Sequence, residues 1–85
     1  MAKVVMYATE WCPYCRRAEA LLRAKGAKFE KIDLDAQPGR RAEMQRRSNR
    51  RTVPQIWIGD THVGGCDELH DLERQGRLDA LLAAA

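Results

Sequence analysis

Apolar residues are distributed along this chain in two rhythms. Residues 3–7 (Lys-Val-Val-Met-Tyr) hold three consecutive apolar side chains in a β-branched and aromatic run, which predicts a first strand buried on both faces within a sheet. From residue 13 to residue 25 the spacing turns helical: Ala18, Leu21 and Leu22 share a face that Arg16, Arg17, Glu19 and Arg23 largely avoid. Gly26 stops that helix, as a residue that takes the left-handed cap conformation would. Residues 28–33 alternate Phe29 and Ile32 imperfectly with charge, and their length and position after a capped helix predict a second strand, parallel to the first.

Pro38 and Gly39 open a second helix over residues 40–47. With only Ala42 and Met44 apolar and arginine abundant, it is expected to lie on the surface and to cover the core rather than fill it. Residues 54–58 predict a third strand, Gly59-Asp60 a tight turn, and residues 61–63 a short antiparallel fourth strand ended by Gly64-Gly65. A last helical region places Leu69 and Leu72 before Gly76 and Leu78, Leu81 and Leu82 after it, with a frayed tail over residues 83–85. The order βαβ, α, ββ, α predicts an α/β fold: a four-stranded mixed sheet with helices on both faces. Trp57 and Phe29 are expected in its core.

Length limits this architecture to one domain, residues 1–85, since 85 residues form a single modest core. The net charge of +3 is mildly basic and by itself selects no partner. No apolar stretch approaches membrane-spanning length and no signal-peptide core follows Met1, so no membrane partner and a cytoplasmic location are expected. Three cysteines are an odd number, and two of them are too close in sequence to staple a domain. The expected chemistry is therefore redox or metal binding rather than a structural disulfide framework.

The close pair is Cys12-Pro13-Tyr14-Cys15, at the junction of the first strand and first helix. With Pro13 as the first helical residue, Cys12 becomes the N-cap, and its sulfur can accept from the backbone N–H groups of Tyr14 and Cys15. Those amides and the positive end of the helix favour a thiolate, which makes Cys12 the candidate nucleophile. Cys15 lies three residues on, on the same helical face, where it can close a disulfide with Cys12 and so act as the resolving thiol. C-x-x-C also forms zinc half-sites, but the second pair that such a site needs is missing. No metal is expected.

With Thr52-Val53-Pro54-Gln55 before the third strand and Gly64-Gly65-Cys66-Asp67-Glu68 before the last helices, the pair completes three motifs in order over nearly the whole chain. In these the sequence closely resembles the glutaredoxins, specifically their small bacterial dithiol form. The resemblance implies the thioredoxin-like fold and an enzyme that uses glutathione as co-substrate, with no tightly bound cofactor. It also implies reduction of protein disulfides and of protein–glutathione mixed disulfides, with disulfide-containing or glutathionylated proteins as partners and a monomer as the working form. Carried over by residue, it makes Pro54 a cis proline beside the active-site pair and gives the Val53 backbone the role of pairing with the glutathione peptide like an added strand. Tyr14 is expected at the cleft edge, and Thr52 among the glutathione contacts. Gly64 and Gly65 allow close backbone approach, and the helix start at Cys66 and Asp67 presents amides to the γ-glutamyl carboxylate. The resemblance breaks at Thr9, where the family often carries a lysine for the glycine carboxylate of glutathione. The replacement charge is assigned among Arg47, Arg50 and Arg51, with Arg51 as the site residue.

Two other functions remain open at this point: a thioredoxin-like reductase recharged by a flavoprotein, and a glutathione-dependent [2Fe–2S] carrier. Pro13 speaks against the second by resemblance, because cluster-binding members usually have a smaller residue there. Nucleic-acid binding by the arginines of residues 40–51 is not expected without an aromatic stacking platform. His62 and His70 each lie four residues from Cys66, a metal-like spacing without a fourth placed ligand. Cys66 itself fits a small buried residue. Trp11 is a candidate contact for substrate proteins.

Overall fold

The computed structural model describes residues 2–84. Strand β1 (Val4–Ala8) occupies the interior of a four-stranded sheet ordered β2-β1-β3-β4. It pairs in parallel with β2 (Phe29–Asp33) and antiparallel with β3 (Gln55–Ile58), which pairs antiparallel with β4 (Thr61–Gly64). The uninterrupted apolar run of β1 follows from this position, because both faces of the strand are covered. Val4, Met6 and Ala8 join one buried cluster, and Tyr7 joins another.

The larger cluster is built against helix α1 (Pro13–Ala24), α3 (Cys66–Arg74) and α4 (Leu78–Ala83), through Cys15, Ala18 and Leu22, Cys66 and Leu69, and Leu78 and Leu82. Helix α1 ends where glycine permits: Gly26 has φ +69°, its N–H donates to Arg23 O at 2.9 Å, and the Ala27 N–H donates to Leu22 O at 3.0 Å. The expected fold class, with helices on both faces of a four-stranded mixed sheet, is the one observed.

On the opposite face, α2 (Arg40–Ser48) packs Met44 against Tyr7, Ile32, Leu34 and Trp57. This corrects the expectation that α2 only covers the core: Met44 has no exposed surface and is central to the smaller cluster. One long, flexible side chain is enough because Tyr7 and Trp57 already fill most of that layer from the sheet. Phe29 also departs from expectation. It starts an edge strand, is half-buried, and carries the Arg23 guanidinium over its ring at 5.4 Å. The expected frayed tail is partly helix, since α4 runs through Ala83; Ala85 lies outside the described residues.

Candidate active site

Because Pro13 lacks an N–H and has a fixed φ, it opens α1 at its first position and leaves Cys12 as the N-cap. The Cys12 sulfur accepts the Cys15 N–H at 3.4 Å and lies 3.8 Å from the Val53 carbonyl oxygen. Of the two amides expected to cap it, only that of Cys15 makes the bond. Cys12 is partly accessible, whereas Cys15 is buried in the larger cluster. Burial pushes the Cys15 thiol up to about 12, further raised by its neighbour Cys12 and opposed by the Thr9 backbone amide. All three cysteines are free thiols.

Next to Cys12 is a cleft of about 280 Å³. Tyr14, Thr52, Val53 and Pro54 line it together with Gly65, Cys66 and Asp67, so the three sequence motifs converge on one place. The Val53–Pro54 bond is cis. The loop before β3 and the start of α3 abut closely: a Cβ on Gly65 would come 3.3 Å from the Pro54 carbonyl oxygen. At Gly65 the close approach is made by the protein's own backbone at Pro54, and Gly65 also lines the cleft.

The cleft is completed by an ion pair. Arg50 Nη1 meets Glu68 Oε1 at 2.6 Å, and the same oxygen accepts the Gly65 N–H at 2.8 Å. The Gly65 amide first, then Arg50, hold the Glu68 carboxyl below its usual range. Gly64 has φ +111°, a backbone conformation that favours glycine, and a Cβ there would stand 2.5 Å from Glu68 Oε1 and displace that carboxylate. Arg50 is aimed by the end of α2, where Asn49 takes the left-handed conformation and the Ser48 hydroxyl accepts the Arg50 N–H at 3.0 Å while donating to Met44 O.

A family model described as Glutaredoxin matches residues 4–63. The chain belongs to the glutaredoxin family. It is 61% identical to a glutaredoxin of Pseudomonas aeruginosa, over 99% of this chain and all of the relative. It is 51% identical to glutaredoxin 3 of Escherichia coli, over 96% of this chain and 99% of that one. Among solved structures, the crystal structure of a buckwheat glutaredoxin–glutathione complex is similar with a TM-score of 0.88 at 32% identity, covering 95% of this chain and 76% of that one.

The glutaredoxin cleft differs from the sequence reading in its charged residues. Arg50 lines it and Arg51 does not, and Thr9 approaches the pair through its backbone amide rather than lining the cleft. Arg47 turns to the other face of the sheet, where its guanidinium lies 4.4 Å from the Trp57 ring centroid and donates to the Tyr7 hydroxyl at 2.9 Å. Glu68 is a further residue of the cleft: its i to i+3 relation to Gly65 is a local capping signal, but nothing local points to Arg50, eighteen residues away. The two histidines part company. His70 Nδ1 donates to the Cys66 carbonyl at 2.9 Å and lies 3.4 Å from the Cys66 sulfur, whereas His62 Nε2 bonds Gln55 at 2.8 Å. Cys66 is buried, and burial raises its thiol pKa. Among the described residues no helix is long and apolar enough to cross a membrane.

Proposed function

We propose that this glutaredoxin is a glutathione-dependent thiol–disulfide oxidoreductase in which Cys12 is the nucleophile and Cys15 the resolving thiol. The observation that carries the assignment is the asymmetry of the pair. Cys12 caps α1 with its sulfur on the Cys15 amide, next to the cleft, while Cys15 lies buried behind it. An amide donor stabilises a thiolate and a buried apolar site disfavours one, so attack falls to Cys12.

In the monothiol route the Cys12 thiolate attacks the glutathione sulfur of a protein–glutathione disulfide. The S–Cys12 bond forms, the protein–glutathione S–S bond breaks, and the protein leaves as a thiolate that takes a proton from water. A glutathione thiolate then attacks the glutathione sulfur held on Cys12, giving oxidised glutathione and restoring the Cys12 thiolate. In the dithiol route the Cys12 thiolate attacks one sulfur of a protein disulfide; the Cys12–substrate bond forms, the substrate S–S bond breaks, and the other sulfur leaves as a thiolate that takes up the Cys15 proton. Cys15 then attacks the Cys12 sulfur and displaces the remaining substrate sulfur as a thiolate, giving the Cys12–Cys15 disulfide, which two glutathiones reduce while becoming oxidised glutathione. Glutathione lies in the cleft, with its peptide along the Val53 backbone and its γ-glutamyl end at the amides of Cys66 and Asp67. Arg50 supplies positive charge on that wall in the role first given to Arg51. The protein works as a monomeric single domain in the cytoplasm, on disulfide-containing and glutathionylated proteins.

The test is turnover of a glutathionylated peptide and of an intramolecular disulfide by two variants. Cys12→Ser is expected to lose both activities, and Cys15→Ser to keep the first and lose the second. Retained turnover in Cys12→Ser would overturn the assignment.

A further inference from the structure

Gln55 has no exposed surface although it is polar, and it stands where β3 leaves the Thr52-Val53-Pro54 loop. Its amide nitrogen donates to the Thr52 carbonyl at 3.0 Å and to the Thr52 hydroxyl at 3.3 Å. A carbonyl only accepts, so the amide is held with its NH₂ toward Thr52 and its oxygen turned the other way. That oxygen lies 2.8 Å from His62 Nε2 on β4. Since it too only accepts, Nε2 must carry a proton and donate. The His62 ring is itself fixed, stacked on Trp57 with centroids 4.6 Å apart and planes 29° apart.

The far end of this relay is the peptide that joins Thr52 to Val53. A trans peptide is planar, with its C=O and N–H pointing in opposite directions. Fixing the Thr52 carbonyl on Gln55 therefore fixes the Val53 N–H pointing away from Gln55. Val53 lines the cleft, and its own carbonyl lies 3.8 Å from the Cys12 sulfur. We propose that His62 is a positioning residue for glutathione: by donating to Gln55 it locks the Thr52–Val53 peptide plane and so aims the Val53 N–H at the glutathione backbone. The inference rests on the glutathione reading above and adds a residue that touches neither ligand nor sulfur. Neutral and protonated His62 both donate from Nε2, so the lock is independent of the ring's charge state and of the Arg47, Arg50 and Glu68 charges that act on it.

The experiment separates the hydrogen bond from the ring stack. His62→Phe keeps an aromatic ring on Trp57 and removes the donor, while His62→Gln places an amide N–H where Nε2 was. With one hydrogen bond at stake, His62→Phe is expected to raise the KM for a glutathionylated peptide about three- to tenfold and to leave kcat within about twofold. His62→Gln is expected to restore the KM, and the rate of Cys12 alkylation by iodoacetamide is expected to be the same in all three proteins. In ¹⁵N-labelled reduced protein the Val53 amide resonance moves in His62→Phe and returns in His62→Gln. An unchanged KM in His62→Phe, an equal KM rise in His62→Gln, or a parallel fall in Cys12 alkylation overturns the proposal. Wild-type protein inert toward the glutathionylated peptide defeats the proposed function instead. The Val53 resonance then decides the positioning by itself, and its failure to move in His62→Phe overturns it.

Discussion

The buried thiol gives the sharpest quantitative expectation. Cys15 is 2% exposed, and burial carries its pKa to about 12, whereas an unperturbed cysteine titrates near about 8.5. At neutral pH that gap lowers its thiolate fraction by about three to four powers of ten, before any steric protection is counted. Reduced protein treated with iodoacetamide near neutral pH, quenched over time and digested, should thus show Cys12 alkylated first and Cys15 unmodified long after. Raising the pH should bring Cys15 into reaction only in strongly alkaline solution. The second arm uses Cys12→Ser, which removes the negative charge and the thiolate acceptor that contribute to the shift. Ultraviolet thiolate absorbance should then place the Cys15 titration lower than in the Cys15 partner-intact protein, yet still above the ordinary cysteine range, because burial is the largest cause and is unchanged. Labelling of Cys15 within about tenfold of Cys12 at neutral pH, or an ordinary cysteine titration in Cys12→Ser, would refute the division of roles.

Two further expectations concern stability. Met44→Ala should cost about 2–5 kcal/mol, since it empties the centre of the smaller cluster, and should appear as a lower urea midpoint; a loss under about 0.5 kcal/mol would return α2 to a mere surface cover. The Glu68 carboxyl is depressed in the folded state, so it adds stability above its unfolded pKa of about 4.3 and loses it as pH falls through the folded value. Glu68→Gln should flatten the acid limb of stability between about pH 6 and about pH 3, by less than about 1 kcal/mol because the pair is half exposed. Urea midpoints across that range measure it, and an unaltered slope would mean that the ion pair does not persist in solution.

What the sequence made legible were features carried by local chemistry. The helical spacing of Ala18 and Leu22, the stop at Gly26 and the N-terminal proline of α1 each act within one turn, and each appears where its residues predict. The C-P-Y-C motif placed Cys12 at a helix cap for the same reason. What escaped depended on partners distant in sequence. Met44 looks too isolated to build a core, because Tyr7 and Trp57, which pack against it, come from strands distant in sequence. Arg51 stands directly before the loop, but the left-handed turn at Asn49 and the Ser48 hydroxyl direct Arg50 to Glu68 instead. Gln55 read as an ordinary strand residue, and its two-ended burial follows only once β4 brings His62 alongside.

The two tryptophans live in opposite surroundings, and this has an optical consequence. Trp11, beside Cys12, is 80% exposed with the Arg16 guanidinium 5.7 Å from its ring centroid, while Trp57 is 5% exposed within the smaller cluster. A dissolved quencher reaches the first indole and not the second. Emission from the outer ring is expected to respond to modification of its neighbour Cys12, and emission from the inner ring to loss of the packed sheet. The molecule thus carries two unlabelled fluorescent reporters, and replacing either ring by phenylalanine isolates the signal of the other.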